Sequence, residues 1–94
     1  MRTRIIDKIR EAIRNGNYDL THHALEEMAE DDLIIFDIEN AILTGNIIKL
    51  QRNDPLGTKY IIEGVGIDKS IIIRTVGRFK ETGTYLIITV YKVY

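Results

Sequence analysis

The 94-residue sequence contains no cysteine and one proline, and no apolar run approaches the length of a membrane span. The missing cysteine excludes disulfide bonds, thiolate nucleophiles and cysteine zinc sites. Residues 1–16 are interrupted by charge every few positions, so they cannot form the core of a signal peptide. We therefore expect a single cytoplasmic domain over residues 1–94, with no membrane contact.

The sequence also lacks an excess of basic charge, because 13 Lys and Arg residues stand against 14 Asp and Glu residues. The resulting net charge of −1 argues against a nucleic-acid binder. The distribution along the chain is uneven, since residues 15–48 hold eight acids and no Lys or Arg, whereas residues 49–94 hold eight basic and four acidic residues. This uneven distribution has two interpretations. The acids can simply form the solvated faces of two helices, or the C-terminal half can present a basic surface.

Helical spacing of isoleucine predicts three helices in the first half of the chain. The first helix has isoleucine at positions 5, 9 and 13 and ends at Gly16. After a short link, a second helix runs from Thr21, a good N-cap, to about residue 31, and Asp32 can adopt the left-handed conformation that ends it. A third amphipathic helix begins near Ile35 and closes at Gly45.

From Asn46 onward, apolar residues recur at every second position instead of at helical spacing. Four strands are predicted, over residues 46–53, 58–66, 70–79 and 84–93. Their connections are short and hold turn residues, as in Asp54-Pro55-Leu56-Gly57. The predicted fold class is therefore α+β, with three N-terminal helices packed on one face of a four-stranded antiparallel sheet.

Alternation along the strands divides their side chains between two faces. The face toward the helices is predicted to carry Ile48, Leu50, Tyr60, Ile62, Ile71, Ile73, Leu86, Ile88 and Val90. The opposite face is predicted to carry Lys49, Gln51, Lys59, Ile61, Glu63, Ile72, Arg74, Arg78, Tyr85, Ile87, Thr89 and Tyr91. Basic groups hold phosphates and aromatic rings stack on bases, so an RNA-contacting sheet needs this composition. A solvated outer face has a similar composition.

Both histidines, His22 and His23, lie at the start of the second helix. An imidazole exchanges protons near neutral pH, and the helix dipole disfavours its charged form there, which suits a general base. His22 with Glu26, and His23 with Glu27, also have a spacing that can bring two metal ligands together. Adjacent helical residues point in different directions and a third ligand is not apparent, so we expect no metal and no cofactor. A structural histidine packed at the helix start is the alternative.

Three segments resemble the bacterial domain-of-unknown-function family 4258: THHALEEMAEDDLIIFDIENAILTGNIIK, DPLGTKYIIEG and GRFKETGTYLIITVY. The likeness covers about residues 18–93 and includes the T-x-H-A helix start at Thr21, the stop at Gly45 and the closing I-I-T-V-Y. That family looks related to small toxin ribonucleases of the RelE, BrnT and MqsR kind, which pack helices on one side of a curved antiparallel sheet and cleave RNA without metal. The resemblance implies that His23 and Tyr91 are functional residues.

One position departs from the family pattern. Many members carry arginine four residues after the motif histidine, where this chain has Glu27. A carboxylate one helical turn from His23 can pair with the imidazole and raise its pKa. It would also repel a phosphate.

These observations predict a metal-independent endoribonuclease. Such an enzyme needs a base for the 2′-hydroxyl proton, cations for the charge on the phosphorane, and an acid for the leaving 5′-oxygen. His23 or His22 is the candidate base, and Tyr91 is the candidate proton donor or base-stacking residue. The candidate substrate-binding residues are the outward cations Lys49, Lys59, Arg74 and Arg78.

The alternative is a non-catalytic interaction domain, either one member of a toxin–antitoxin-like pair or a homodimer. Outward apolar residues favour it, because an exposed apolar strip on a sheet often marks an interface. On the predicted outer face these residues are Ile61, Ile72 and Ile87. The expected partners are therefore RNA or a protein, and neither DNA nor a membrane.

Overall fold

The computed structural model describes residues 3–94, so Met1 and Arg2 of the predicted domain range lie outside the described residues. The helices are α1 (Ile5–Arg14), α2 (His22–Glu30) and α3 (Ile35–Thr44). The strands are β1 (Tyr18–Leu20), β2 (Asn46–Gln51), β3 (Lys59–Val65), β4 (Ile72–Phe79) and β5 (Tyr85–Val93). The α+β class, the three helices and strands β2 to β5 confirm the expectation from periodicity.

The helices begin and end at residues that supply hydrogen bonds or special backbone angles. The Thr21 hydroxyl accepts the Ala24 N–H at 3.1 Å and so caps α2, while Asp32 follows that helix with a φ of 55°. No hydroxyl or carboxylate is available at Ile34 to cap α3. Instead, the Asp37 carboxylate reaches back and accepts the Ile34 N–H at 3.1 Å.

The sheet has five strands in the order β1-β5-β4-β3-β2, so the prediction of four strands is wrong. Strands β2 to β5 are antiparallel neighbours as expected, but β1 pairs in parallel with β5, with Tyr18 opposite Tyr85 and Leu20 opposite Ile87. The segment predicted as a link between the first two helices is this strand. Three residues are too few to show an alternating pattern, so β1 is defined by its partner rather than by its own sequence.

Two bulges change which side chains face the helices. In β5, Ile87 pairs with Gly77 and Thr89 pairs with Val76, so Ile88 is an extra residue. The predicted outward position of Tyr85 and Ile87 is therefore wrong, because both are fully buried. Leu86, predicted to face inward, pairs with Arg78 instead.

In β2, the second bulge falls at Ile48, between the pairs Ile47 with Ile62 and Lys49 with Ile61. Ile48 was predicted to face the helices, yet it is 49% exposed at the edge of the sheet. A single inserted residue inverts the alternation only on one side of itself. The outward positions of Lys49 and Gln51, which follow the bulge, agree with the predicted alternation.

The hydrophobic core lies between the three helices and the inner face of the sheet. Its fully buried side chains include Ile9 of α1, Ile38 of α3 and Tyr85 of β5. A Cβ at Gly64 would lie 1.9 Å from the Ala41 backbone oxygen, and one at Gly77 would lie 2.5 Å from the Tyr85 ring. Gly64 and Gly77 therefore let a helix and an aromatic ring approach the sheet closely, and Gly77 also lies opposite the β5 bulge.

None of the three helices in residues 3–94 has the length and hydropathy that crossing a bilayer requires.

Candidate functional site

The outer face of the sheet, opposite the helices, carries rows of side chains, and three neighbouring rows hold the candidate site residues. Residues paired across strands lie on the same face, so the pairing registers define the rows. The first row is Glu63, Arg74 and Tyr91. The middle row is Lys49, Ile61, Val76 and Thr89. The third row is Gln51, Lys59, Arg78 and Leu86, where Lys59 is placed beside Arg78 because Tyr60 pairs with Gly77.

The first row contains a connected group of polar side chains. Arg74 Nε donates to Glu63 Oε2 at 2.8 Å, and about a third of each side chain is exposed, 36% for Arg74 and 35% for Glu63. The hydrogen bond that Arg74 donates to Glu63 raises the pKa of Arg74, and the neighbouring Tyr91 hydroxyl adds to this effect. The guanidinium has five N–H donors, so its terminal nitrogens can still bind an oxyanion beside the carboxylate.

The third row contains a second cationic group, near the turn between β2 and β3. Lys59 Nζ lies 2.8 Å from Asp54 Oδ2. The pKa of the Asp54 carboxyl is lowered, first by this hydrogen bond with Lys59, then by the Leu56 N–H, and also by the charge of Arg78. Asp54 thus offsets part of the positive charge that Lys59 and Arg78 bring to this end of the face.

The middle row separates the two cationic groups with aliphatic side chains. Ile61 and Val76 are partly buried at its centre, and Lys49 lies at its end on the edge strand β2. Aliphatic side chains between cations give the face two kinds of contact, one for charged groups and one for the flat faces of bases.

The histidines lie apart from these rows, at the N-terminal end of α2. His22 Nε2 is 2.9 Å from Glu26 Oε1, and His23 Nε2 is 3.1 Å from Glu27 Oε1. The helix start is attached to β5 because the Thr21 N–H donates to the Ile87 carbonyl at 3.0 Å. In the part of the chain that the structure describes, no hydrogen bond or salt bridge joins either histidine to Arg74, Arg78 or Tyr91.

Glu27 has a second contact that explains its presence at this position. Its Oε1 also accepts the Val90 N–H at 3.2 Å, and Asp31, one helical turn later, accepts the Lys92 N–H at 3.1 Å. Strand β1 pairs with β5 only as far as Ile87. Beyond that residue, the two carboxylates accept hydrogen bonds from backbone N–H groups that would otherwise lack a partner at the edge of β5. Glu27 therefore binds the sheet and His23 at once.

The arrangement brings together two predicted site residues, Arg74 and Tyr91, and adds a third that the sequence did not assign. Glu63 was placed on the outer face by alternation but was given no role. Its pairing opposite Arg74 depends on the β3–β4 register, which side-chain alternation alone does not define. A carboxylate, a guanidinium and a phenol in one row are a proton acceptor, an oxyanion ligand and a hydrogen-bond donor.

Residues 3–94 contain no group of three or more His, Asp and Glu side chains arranged to hold a metal ion.

Comparison with known proteins gives one match. A family described as Domain of unknown function (DUF4258) matches residues 20–92, which is most of the chain. No curated protein matches, and no solved structure matches either.

Proposed function

The chain belongs to the DUF4258 family, whose description assigns no activity, and we propose from its own residues that it is a metal-independent endoribonuclease that binds unpaired RNA on the outer face of its sheet. The observation that supports this most is the first row, in which Glu63, Arg74 and Tyr91 lie side by side on three adjacent strands. The proposal includes kinship with toxin ribonucleases of the RelE kind, as the sequence resemblance implies, and a cytoplasmic location.

The proposed reaction is an internal transfer of a phosphodiester bond. Glu63 takes the proton of the 2′-hydroxyl, and the resulting oxygen bonds to phosphorus to give a 2′,3′-cyclic phosphate. The bond to the 5′-oxygen breaks, and Tyr91 supplies the proton that the leaving oxygen needs. Arg74 stabilises the negative charge that develops on the phosphorane oxygens, and its hydrogen bond to Glu63 holds the two groups in a defined relation.

His23 is the alternative base, as the sequence suggests. It pairs with Glu27, which accepts the N–H of Val90, the residue before Tyr91 in β5. The histidine thus lies beside the β5 edge, whereas Glu63 lies within the row itself. Substitution of each residue separately distinguishes the two assignments.

The spacing of the cations suggests the size of the substrate. Arg74 and Arg78 are four residues apart on β4, which corresponds to about 13 Å along a strand. That distance exceeds one nucleotide step of an extended chain, and the aliphatic middle row between them offers a surface on which a base can rest. We expect the shortest good substrate to be about four unpaired nucleotides, with the first and third of its internal phosphates at the two arginines.

The test is cleavage of an RNA with unpaired loops by the purified protein in EDTA. We expect products that end in a 2′,3′-cyclic phosphate, and a loss of rate of about 100-fold or more for Glu63→Gln and for Arg74→Gln. Arg78→Gln should raise KM for long substrates and leave the cleavage of dinucleotides unchanged. Glu81→Gln, in the exposed β4–β5 turn, is the matched control and should cleave as wild type does.

Absence of cleavage in EDTA, or wild-type rates for the folded Glu63→Gln and Arg74→Gln variants, would contradict the proposal. A large loss in His23→Ala with normal rates in Glu63→Gln would transfer the role of base to the histidine.

A second candidate function is a non-catalytic interaction domain, and the aliphatic side chains of the outer face favour it. Ile72 is 41% exposed, and Ile61, Val76 and Leu86 lie on the same face. Ile87, which the sequence analysis counted among them, is buried and contributes nothing to this surface. Sedimentation at several concentrations tests whether this surface forms a homodimer. Self-association that Ile61→Lys abolishes would support the homodimer, and a strict monomer would exclude the homodimer.

A further inference from the structure

Strand β2 is an open edge of the sheet. In the sheet formed by residues 3–94 it pairs only with β3, so along its other side the backbone N–H and C=O groups have no strand partner. All of its residues except Ile47 are exposed. An edge of this kind is a template on which another extended segment can pair.

A groove runs beside this edge, between β2 and the start of α1. It has a volume of about 600 Å³ and is lined by Ile5, Ile47, Ile48, Lys49, Leu50, Arg52 and Asn53. Ile48 is 49% exposed and Leu50 is 38% exposed, so aliphatic surface lies open next to the unpaired backbone. A strand that pairs with β2 would place alternate side chains against this aliphatic surface.

Two cations line the groove, and among the described residues they lack the carboxylate partner that several cations elsewhere in the protein have. Lys59, Arg74 and Lys80 each have a carboxylate at 2.8 Å. Lys49 and Arg52 form no salt bridge within residues 3–94. The rim of the groove therefore carries positive charge that no described carboxylate offsets, and this charge favours an acidic occupant.

We infer that the free edge of β2 is a docking site for an extended acidic segment of a partner protein. The segment adds to the sheet as a further strand, its apolar side chains lie against Ile48 and Leu50, and its carboxylates bind Lys49 and Arg52. A second copy of the chain fits less well, because pairing of β2 with itself brings the Lys49 and Arg52 charges of both copies to one edge, and antiparallel pairing centred on Lys49 places the two Lys49 side chains directly opposite each other. Like charges directly opposite one another destabilise a strand pair.

The experiment is a titration of the protein with a capped synthetic peptide of alternating glutamate and valine, followed by NMR. Saturable shifts of the amide signals of residues 46–52 and of Ile5 are expected. Arg52→Glu should weaken binding by roughly tenfold or more, because it places like charges against the peptide. Lys69→Glu, an equal charge change in the β3–β4 turn, is the matched control and should bind as wild type does.

Two further probes separate a strand pairing from general attraction between charges. A peptide with alternate backbone nitrogens methylated keeps its charge but cannot form the ladder, so it should not bind. A lysine–valine peptide should not bind either.

The inference is overturned if the acidic peptide shows no saturable binding, if the methylated peptide binds equally well, or if the shifts lie on β4 and β5 instead of on β2. Dimerisation of the protein through β2 in the absence of peptide would overturn it as well. Because the readout is peptide binding at β2, its failure is independent of ribonuclease activity on the outer face.

Discussion

At the residue scale, the two histidine–glutamate pairs of α2 look equivalent in sequence but differ in what else their glutamate contacts. Glu26 is 59% exposed and pairs with His22, whereas Glu27 is 20% exposed and also accepts the N–H of Val90. An exposed ion pair at helical spacing contributes little to stability, but a carboxylate that satisfies a backbone donor contributes more. The glutamate at position 27 is thus linked to how α2 attaches to the sheet.

This difference predicts the effect of removing each carboxylate. Glu27→Ala should lower the free energy of unfolding by about 1–2 kcal/mol, because the Val90 N–H loses its acceptor. Glu26→Ala should change it by less than about 0.5 kcal/mol. Denaturant unfolding monitored by circular dichroism measures both. Equal effects of the two substitutions would show that the Val90 contact has no energetic role.

A second residue-scale prediction concerns alkaline pH. The Tyr18 hydroxyl donates to Glu39 Oε2 at 2.6 Å, and burial, followed by this hydrogen bond, raises the pKa of Tyr18 to about 12. An unfolded tyrosine ionises near its ordinary value of 10.0, so the folded state holds its proton more tightly. The stability from this difference is present below pH 10 and is lost as pH rises toward 12.

The measurement is the free energy of unfolding between pH 8 and pH 12 for wild type and Tyr18→Phe. Wild type should lose stability more steeply above pH 10 than the variant, because only wild type carries the Tyr18 phenol. Burial also raises the pKa of Tyr85, but that phenol is present in both proteins and affects both curves equally. Parallel curves would contradict the assignment of the shift to Tyr18.

At the element scale, the contact between α3 and β3 is close enough to depend on glycine. A Cβ at Gly64 would meet the Ala41 backbone oxygen at 1.9 Å, and backbone cannot move aside as a flexible side chain can. At Gly66 a Cβ would meet the Asp37 side-chain oxygen at 3.0 Å, which requires only a small adjustment. Helix α3 therefore lies over two glycines that differ strongly in whether they tolerate a Cβ atom.

We expect Gly64→Ala to destabilise the protein by about 3 kcal/mol or more, and Gly66→Ala by about 1 kcal/mol or less. Thermal and denaturant unfolding of the two variants compare them directly. If both substitutions cost the same, the close approach of α3 to β3 would not be the reason that Gly64 is needed.

The same scale shows how far sequence patterns define the structure. Isoleucine at helical spacing and the alternating segments predicted α1 to α3 and β2 to β5 because each is long enough for its period to show. Strand β1 was missed because Tyr18, Asp19 and Leu20 form no period of their own. The bulge at Ile88 inverted the predicted faces of Tyr85 and Ile87, since one inserted residue shifts every position on one side of it.

The candidate site was predictable to the same extent. Arg74 and Tyr91 lie on the outer face, where alternation places them, because β4 alternates without interruption and Tyr91 follows the β5 bulge. The role of Glu63 required the β3–β4 register, which is a property of the folded pair and not of either strand alone. The position of the histidines follows from how α2 attaches to the β5 edge, which no local pattern encodes.

At the scale of the whole molecule, helix α1 belongs to the core although the family match begins at residue 20. Ile9 is fully buried in the same cluster as Ile62 of β3, and Arg10 donates to the Gly45 carbonyl at 2.8 Å. Ile9→Ala and Ile62→Ala should therefore each cost about 2–5 kcal/mol of unfolding free energy, although only Ile62 lies within the matched range.

Denaturant unfolding of the two alanine variants is the measurement. Ile9→Val, which removes a single methylene group, should cost about 1 kcal/mol and serves as the conservative comparison. A near-neutral Ile9→Ala would mean that α1 is an appendage to a core that is complete without it.

The parallel pairing of β1 with β5 has a consequence for synthesis on the ribosome. Residues 18–20 emerge early, but their partner, residues 85–87, emerges only after the other three strands have been made. Until then β1 lacks the strand with which it pairs, and the Thr21 N–H lacks its acceptor, the Ile87 carbonyl. The nascent N-terminal half is therefore not yet stabilised by the sheet. Chaperone contact and proteolysis during translation should therefore concentrate on that half, and ordering should follow the emergence of β5.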